Sequence, residues 1–230
     1  MTRSKALLFI TASIPALTLF TGLLLGRLGA NPVEVLTHQT GEWGLRILLL
    51  TLAITPFRKL TGLHQVVRFR RMLGLFSFFY ISLHFLTYVL LDAGLDLAYI
   101  AEDVLDRLYI TAGFAGLCLM IPLAATSTNG MIKRLGGKNW QRLHRLTYLA
   151  AIAGVLHFLW LVKADLREPL VYTAILALLL VLRVPVVSAR LGSWRGARRA
   201  ARSRVRQPPA SNSQAPARPE GTRAREPAAS

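Results

Sequence analysis

Cysteine is almost absent from this chain, which has a single one, Cys118, among 230 residues. A disulfide scaffold and a cysteine-based metal site are therefore excluded, and without a Cys-x-x-Cys-His motif so is covalently attached haem. No glycine-rich phosphate loop follows a strand pattern, which argues against a dinucleotide-binding domain. The apolar stretches contain no buried acid, so a proton-coupled transporter would lack its usual carboxylates.

Apolar sequence is what the chain has in abundance. Hydrophobic residues make up 53% of it, and the mean hydropathy is +0.43. They come in blocks of about 20, the length of a helix that crosses a bilayer. The sequence therefore predicts an all-α polytopic membrane protein in which residues 1–187 form six transmembrane helices. The predicted spans are Ala6–Leu25, Trp43–Pro56 (Gly41–Phe57 with its flanks), Met72–Leu91, Leu108–Ala125, Leu143–Val162 and Pro169–Val187.

Charge is strongly basic, with 28 Lys and Arg against 11 Asp and Glu, a net +17. In a soluble domain this would favour nucleic-acid binding. Along the predicted spans it instead follows the positive-inside rule, because with a cytoplasmic N-terminus every acid before residue 188 falls outside. We therefore expect both termini in the cytoplasm. Residues 188–230 are predicted to be a disordered Arg-rich tail that contacts membrane lipids and no nucleic acid, since Trp194 is its one aromatic residue.

Histidine provides the candidate site residues, because an ionisable residue within a span is costly and points to function. His84 and His157 fall at similar depth in the outer halves of the third and fifth spans, at about 1.5 Å per residue. Two facing imidazoles can hold a six-coordinate b-type haem, so this pair is predicted to bind an outer haem iron. His144 lies at an inner level, about 140° around an ideal helix from His157. It is a candidate ligand for a second haem, or a residue of the electron-entry route.

Other interpretations of these positions stay open. A histidine in a span could hydrogen-bond a neighbouring helix instead. His38 and His64 are predicted at the surface, in the first outer and first inner loops. Gly113-x-x-Gly116 is interpreted as close helix packing, and Trp140 as an interface anchor.

Two charged regions also have more than one interpretation. The acidic outer loop, Asp92 to Asp106, is a docking surface for a partner or an ordinary solvated loop. The inner arginines are interpreted as a topology signal that contacts anionic lipid. The alternative is a cradle for haem propionates, a flavin phosphate or a quinone-site ligand. These arginines are Arg68, Arg70, Arg71, Arg142 and Arg145.

Several motifs together resemble the ferric-reductase-like transmembrane domain. They are Arg70-Arg71-Met72-Leu73-Gly74-Leu75 with Leu83-His84, and Trp140-Gln141-Arg142-Leu143-His144-Arg145-Leu146-Thr147-Tyr148-Leu149 with Leu156-His157-Phe158-Leu159-Trp160. The motifs Asn31-Pro32, His38-x-Thr40-Gly41, Ile54-Thr55-Pro56 and Thr126-Ser127-Thr128 are similar to one branch, MsrQ (YedZ). Its members are haem-binding membrane subunits of the periplasmic methionine-sulfoxide reductase system. The resemblance covers about Leu8 to Val187.

The resemblance implies an electron-transfer subunit of the bacterial inner membrane that carries haem b and FMN. It would take electrons from the quinone pool of the respiratory chain. It would pass them to a periplasmic molybdenum-cofactor enzyme, MsrP, which reduces methionine sulfoxide in oxidised proteins. Sulfoxide reduction would then belong to the partner, and this chain would hold no catalytic residue.

The family's haem histidines carry over onto His84, His144 and His157. Oxidase and ferric-reductase relatives have two paired histidines on each of two helices, whereas the third span here has His84 alone. One haem is therefore expected, and a second stays open. Two alternatives remain: a stand-alone transmembrane haem reductase of ferric chelates or quinone, and a transporter or assembly factor without haem.

Overall fold

The computed structural model describes residues 3–184, in which all regular structure is helical. The predicted tail, residues 188–230, lies outside the described residues. Nine α-helices lie within the described range. They are α1 (Arg3–Leu24), α2 (Pro32–Thr61), α3 (Arg70–Thr87), α4 (Leu97–Asp106), α5 (Leu108–Ala125), α6 (Asn129–Leu135), α7 (Gly137–Leu143), α8 (Leu146–Leu161) and α9 (Arg167–Val181). A 3₁₀ helix, His64–Phe69, precedes α3, and a π-helical turn, Tyr88–Asp92, extends it.

Four helical stretches are long and apolar enough to cross a membrane. They are Arg3–Leu24, His64–Asp92, Leu108–Ala125 and Gly137–Leu161, which correspond to four of the six predicted spans. The second predicted span lies within α2, and residues 169–181 of the sixth lie within α9. However, α9 has only 15 residues, and the 30-residue α2 has charged side chains in its first half.

The helix α2 begins well before the predicted second span. Asn31 caps it, because its side chain accepts a hydrogen bond from the Glu34 amide at 3.3 Å and donates one to the Glu34 carboxylate at 3.0 Å. Pro32 occupies the first turn, where its missing N–H costs nothing. The prediction that His38 lies in an outer loop is therefore wrong. Its side chain is exposed, but it projects from a helix.

Two antiparallel helix pairs form the centre of the molecule: α2 with α3, and α5 with α8. Glycines allow the close approach, since a Cβ on Gly44 would lie 2.6 Å from the Ile81 side chain. The buried hydroxyl of Ser77 then donates to the Gly44 carbonyl oxygen at 2.8 Å. The main hydrophobic core joins these pairs to α9. It consists of Leu45, Leu48, Leu49, Leu52, Met120, Ala150, Ala151, Val155, Leu176 and Leu179.

The first helix is attached to the bundle through Tyr80, whose side chain is fully buried. The Tyr80 hydroxyl donates to the Ala12 carbonyl oxygen at 2.7 Å and accepts from the Ala16 amide at 3.0 Å. It thus stands between two groups that would pair with each other in a regular helix. Pro15 lies next to this interruption.

The acidic outer loop predicted at Asp92 to Asp106 contains the short helix α4. Asp96 begins this helix, because its carboxylate accepts hydrogen bonds from the amides of Ala98 and Tyr99 at 3.0 and 3.1 Å. Asp103 is buried and not solvated like the rest of the segment. The acidic residues in this loop therefore do not form one uniform surface.

Candidate functional site

His84 of α3 and His157 of α8 lie side by side. Their ring centroids are 6.0 Å apart, and the ring planes are inclined at 75°. Both rings line a cavity of about 280 Å³ between α2, α3, α5 and α8. Apolar side chains such as Leu48, Phe114 and Met120 form much of its wall. Two histidines from helices far apart in sequence thus share one largely apolar cavity.

Each of these histidines is oriented by a backbone carbonyl. Nδ1 of His84 lies 2.8 Å from the Thr37 oxygen, and Nδ1 of His157 lies 2.6 Å from the Tyr109 oxygen. A carbonyl can only accept a hydrogen bond, so Nδ1 is the protonated nitrogen in both rings. Nε2 then keeps its lone pair and is available to bind a metal, the arrangement that metal-binding histidines usually have.

A glycine makes room for each ring. A Cβ on Gly41 would lie 3.1 Å from Nδ1 of His84, and a Cβ on Gly113 would lie 2.7 Å from Nδ1 of His157. Gly41 follows Thr37 by one helical turn, and Gly113 follows Tyr109 by the same interval. In each case the carbonyl that accepts the hydrogen bond and the glycine that leaves room for the ring lie on the same face of one helix. The same arrangement occurs in both helix pairs.

The cavity becomes polar toward the outer ends of its helices. Asp103 accepts a hydrogen bond from the Tyr88 hydroxyl at 2.9 Å and pairs with Nε of Arg107 at 2.8 Å. Arg107 also donates to the Tyr109 hydroxyl at 3.2 Å. This network joins the end of α3, α4 and the start of α5. It links the outer wall of the cavity to Tyr109, the residue whose carbonyl holds His157.

Comparison with known proteins places the chain in a family. Residues 40–155 match the family model "Ferric reductase like transmembrane component". A Ralstonia nicotianae protein is 50% identical over 195 residues, covering 84% of this chain and 87% of the relative. A Rhodospirillum rubrum protein is 51% identical over 183 residues, covering 79% and 88%. Both are named protein-methionine-sulfoxide reductase heme-binding subunit MsrQ. The chain belongs to the MsrQ family.

A third MsrQ relative, from Xanthomonas euvesicatoria, is 55% identical over 157 residues, which is 68% of this chain and 72% of its own length. Membership confirms the resemblance inferred from the sequence motifs. It also makes this chain a membrane protein, as its four long apolar helices indicate. The matched region of the family model includes His84 and His144 and ends two residues before His157.

The third histidine predicted for a site, His144, lies apart from the pair. The predicted fifth span is interrupted there, since α7 ends at Leu143 and α8 begins at Leu146. The angle of about 140° that was expected between His144 and His157 assumed one continuous helix, so that prediction does not apply. The His144 ring stacks on Trp140 at 3.8 Å, and its Nδ1 lies 3.1 Å from the Trp140 oxygen. Its Nε2 is buried without a hydrogen-bond partner.

The structure also places the other residues that the sequence singled out. Trp140 was expected to be an interface anchor, and its indole N–H donates to the Thr126 carbonyl oxygen at 2.9 Å. Gly113-x-x-Gly116 was interpreted as close helix packing, and both glycines stand where α8 comes close, Gly113 beside the His157 ring and Gly116 beside Ala153. His64 is exposed in the 3₁₀ helix, as predicted for a surface residue. His38 is exposed too, but it lines the cavity that holds His84 and His157.

Proposed function

We propose that this chain is a transmembrane electron-transfer subunit that carries electrons through haem b to a methionine-sulfoxide reductase. The observation that carries the proposal is the pairing of His84 with His157 in one cavity, each with Nδ1 bonded to a backbone carbonyl. Relatives at about 50% identity are named heme-binding subunits of protein-methionine-sulfoxide reductase. Both lines of support point to the same cofactor.

The residues of the cavity fit an axially ligated haem. A metal–imidazole bond is about 2 Å long, so two imidazoles on one iron have ring centroids roughly 6 Å apart, close to the 6.0 Å between these rings. His84 and His157 would therefore hold the haem iron. The haem would supply a one-electron iron couple, whose potential depends on its ligands and burial. Thr37 and Tyr109 would fix the ligand tautomer, and the apolar wall would exclude water.

The direction of transfer follows from the orientation that we propose. Six spans with cytoplasmic termini, including α2 and α9, would put the basic segments in the cytoplasm of a bacterial cell. The helix α2 has 30 residues and is about 45 Å long, which is enough to cross a bilayer. The histidine pair would then lie near the periplasmic side. Residues 1–187 would form the membrane domain, with residues 188–230 as a cytoplasmic tail.

The electron donor and the electron acceptor are proposed from the family resemblance. The acceptor would be the molybdenum-cofactor enzyme MsrP, in which sulfoxide reduction itself takes place. The donor would be the quinone pool, with FMN as a further cofactor. His144 is the candidate ligand for a second haem, and its buried, unpartnered Nε2 is consistent with that role.

The test is a reduced-minus-oxidised spectrum of the purified full chain, combined with haem, flavin and protein quantification. Low-spin haem b is expected in the unaltered chain. His84→Ala and His157→Ala should each abolish the low-spin signal, because one imidazole cannot supply both axial bonds. His64→Ala is the matched control, since His64 is exposed in the 3₁₀ helix.

Several outcomes would contradict parts of the proposal. A full-strength low-spin signal in both His84→Ala and His157→Ala would exclude this ligand pair. Absence of an α-band from the unaltered chain would exclude the haem. Haem that is reoxidised by ferric chelate but not by oxidised MsrP would favour a stand-alone reductase instead. The haem-to-protein ratio of His144→Ala decides whether His144 binds a second haem.

A further inference from the structure

Two arginines lie together at the end of the bundle opposite the histidine pair. Arg183, just after α9, donates hydrogen bonds to the Tyr148 hydroxyl and the Leu52 carbonyl oxygen, and its Cζ lies 4.9 Å from the centre of the Tyr148 ring. Arg70, at the start of α3, donates to the Thr55 hydroxyl at 3.3 Å. Both arginines are half-buried, and all these partners are neutral.

This neighbourhood has no counter-charge from the described residues. The positive charge of Arg183 acts on Arg70. Every acid within residues 3–184 lies in the first half of α2, between residues 92 and 106, or at residues 165 and 168. All of these positions are at the other end of the bundle. Half-buried like charges repel one another and lose hydration, which is costly unless an anion compensates.

Unsatisfied polar atoms occur in the same neighbourhood. In the described part of the chain, two buried side-chain atoms have no hydrogen-bond partner: Nε of Arg183 and Nε2 of His144. Nδ1 of His144 faces the Trp140 carbonyl oxygen and carries the proton, so Nε2 of His144 is an acceptor, and of the two atoms only Nε of Arg183 is a donor without a partner. Buried polar atoms are nearly always paired, and an exception calls for a missing partner such as an ion. Nε of Arg183 is a buried N–H donor among positive charges, so the missing partner that we expect there is an anion.

We infer that Arg70 and Arg183 form a binding site for a phosphoryl group, between α2, α3, α8 and α9. A guanidinium presents a planar pair of donors that matches phosphate oxygens, and such charge-assisted bonds are the strong ones. Basic pockets between transmembrane helices on the cytoplasmic side bind phospholipid headgroups, and a phosphate monoester such as FMN offers the same chemistry. The site itself does not depend on the haem; only its cytoplasmic side rests on the proposed orientation.

The experiment measures phosphorus bound to the full chain after purification in detergent and a high-salt wash. Variants are Arg70→Gln, Arg183→Gln and Arg183→Lys, with Arg134→Gln as the matched control because Arg134 is exposed at the end of α6. Solvent extraction separates phospholipid from a water-soluble phosphate monoester. Rebinding is then measured with FMN, and with nanodiscs that contain or lack phosphatidylglycerol.

Phosphorus should be retained by the unaltered chain and by the Arg134 variant. The two glutamine variants should bind roughly ten- to hundredfold more weakly, the loss expected for one hydrogen bond to a charged group. The phosphate affinity of Arg183→Lys should lie between that of the glutamine variants and that of the unaltered chain, since lysine keeps the charge without the planar pair of donors. Helical circular dichroism and size-exclusion chromatography establish that each variant is folded.

Equal phosphorus in the folded glutamine variants and the Arg134 variant would overturn the inference, as would its absence from the unaltered chain. A fall in the haem-to-protein ratio of Arg183→Gln without loss of phosphorus would also overturn it, because the anion would then be a haem carboxylate. Loss of phosphorus with an unchanged haem spectrum supports the site. A chain without haem that still binds phosphate would contradict the proposed function and leave this inference standing.

Discussion

Gly113→Ala is the substitution that most directly tests whether His157 must occupy its observed position. The new Cβ would lie 2.7 Å from Nδ1 of His157, and 3.1 Å from both Cγ and Cε1. Ordinary contact needs about 3.4 Å or more, so the ring must move away from α5 by roughly 0.7 Å. The bond from Nδ1 to the Tyr109 oxygen, now 2.6 Å, would lengthen to about 3.3 Å, beyond the usual range for N–H···O.

This shift should affect cofactor binding far more than folding. Loss of the hydrogen bond costs about 1 kcal/mol, and alanine returns up to about 1 kcal/mol through its better helix propensity. The free energy of unfolding should therefore change little. Metal–ligand distances tolerate only about 0.2 Å, so a displacement of 0.7 Å should break the axial bond. We expect Gly113→Ala to convert the haem from low-spin to high-spin or to lose it.

The assay is low-spin haem per chain, from the optical spectrum and electron paramagnetic resonance. Gly116→Ala is the matched control on the same helix, since its Cβ would make an ordinary contact of 3.5 Å with Ala153. Gly41→Ala should have an intermediate effect, because its Cβ would lie 3.1 Å from His84. If Gly113→Ala keeps as much low-spin haem as Gly116→Ala, the space beside His157 is not what positions the ligand.

Further predictions concern the outer network, the first helix and the topology. Asp103→Asn should lower the free energy of local unfolding of α4 by about 1–3 kcal/mol, because an amide cannot replace the carboxylate between two donors. Hydrogen exchange in α4 should therefore become faster in Asp103→Asn and should not change in the control Asp106→Asn. Tyr80→Phe should destabilise the chain by about 1–3 kcal/mol in thermal unfolding, since two backbone groups of α1 lose their partner. Cys118 faces outward from an apolar helix and should resist a membrane-impermeant maleimide in intact cells. Asp106→Cys should be labelled in those cells and Arg134→Cys only after permeabilisation; labelling of both from outside would refute the proposed orientation.

Hydropathy predicted the helices that are apolar throughout and missed the parts that are not. The span Leu108–Ala125 was predicted with the bounds that α5 has. The first turns of α2 were missed because Glu34, His38 and Gln39 interrupt its apolar pattern. The sequence Asn31-Pro32 followed by Glu34 is a helix start signal that could have placed this boundary.

The similar depth of His84 and His157 was predictable from the sequence, but depth alone does not show that their helices are neighbours, as they are in the structure. What holds the rings was not predictable. Gly41 and Gly113 act through the spaces they leave, and such spaces exist only once neighbouring helices have packed. The break at His144 was missed for a different reason: no glycine or proline lies between residues 141 and 147 to mark the end of a helix.

The two proposed haem ligands belong to different helix pairs, and this has a consequence for biosynthesis. Thr37, Gly41 and His84 come from α2 and α3, whereas Tyr109, Gly113 and His157 come from α5 and α8. During synthesis, the segment that carries the first half-site leaves the ribosome before the segment that carries the second. A cofactor that needs both can be fixed only after α8 has entered the membrane. Haem binding would then be a late step that joins the two helix pairs. The supply of haem would determine how much of the chain reaches its final folded state.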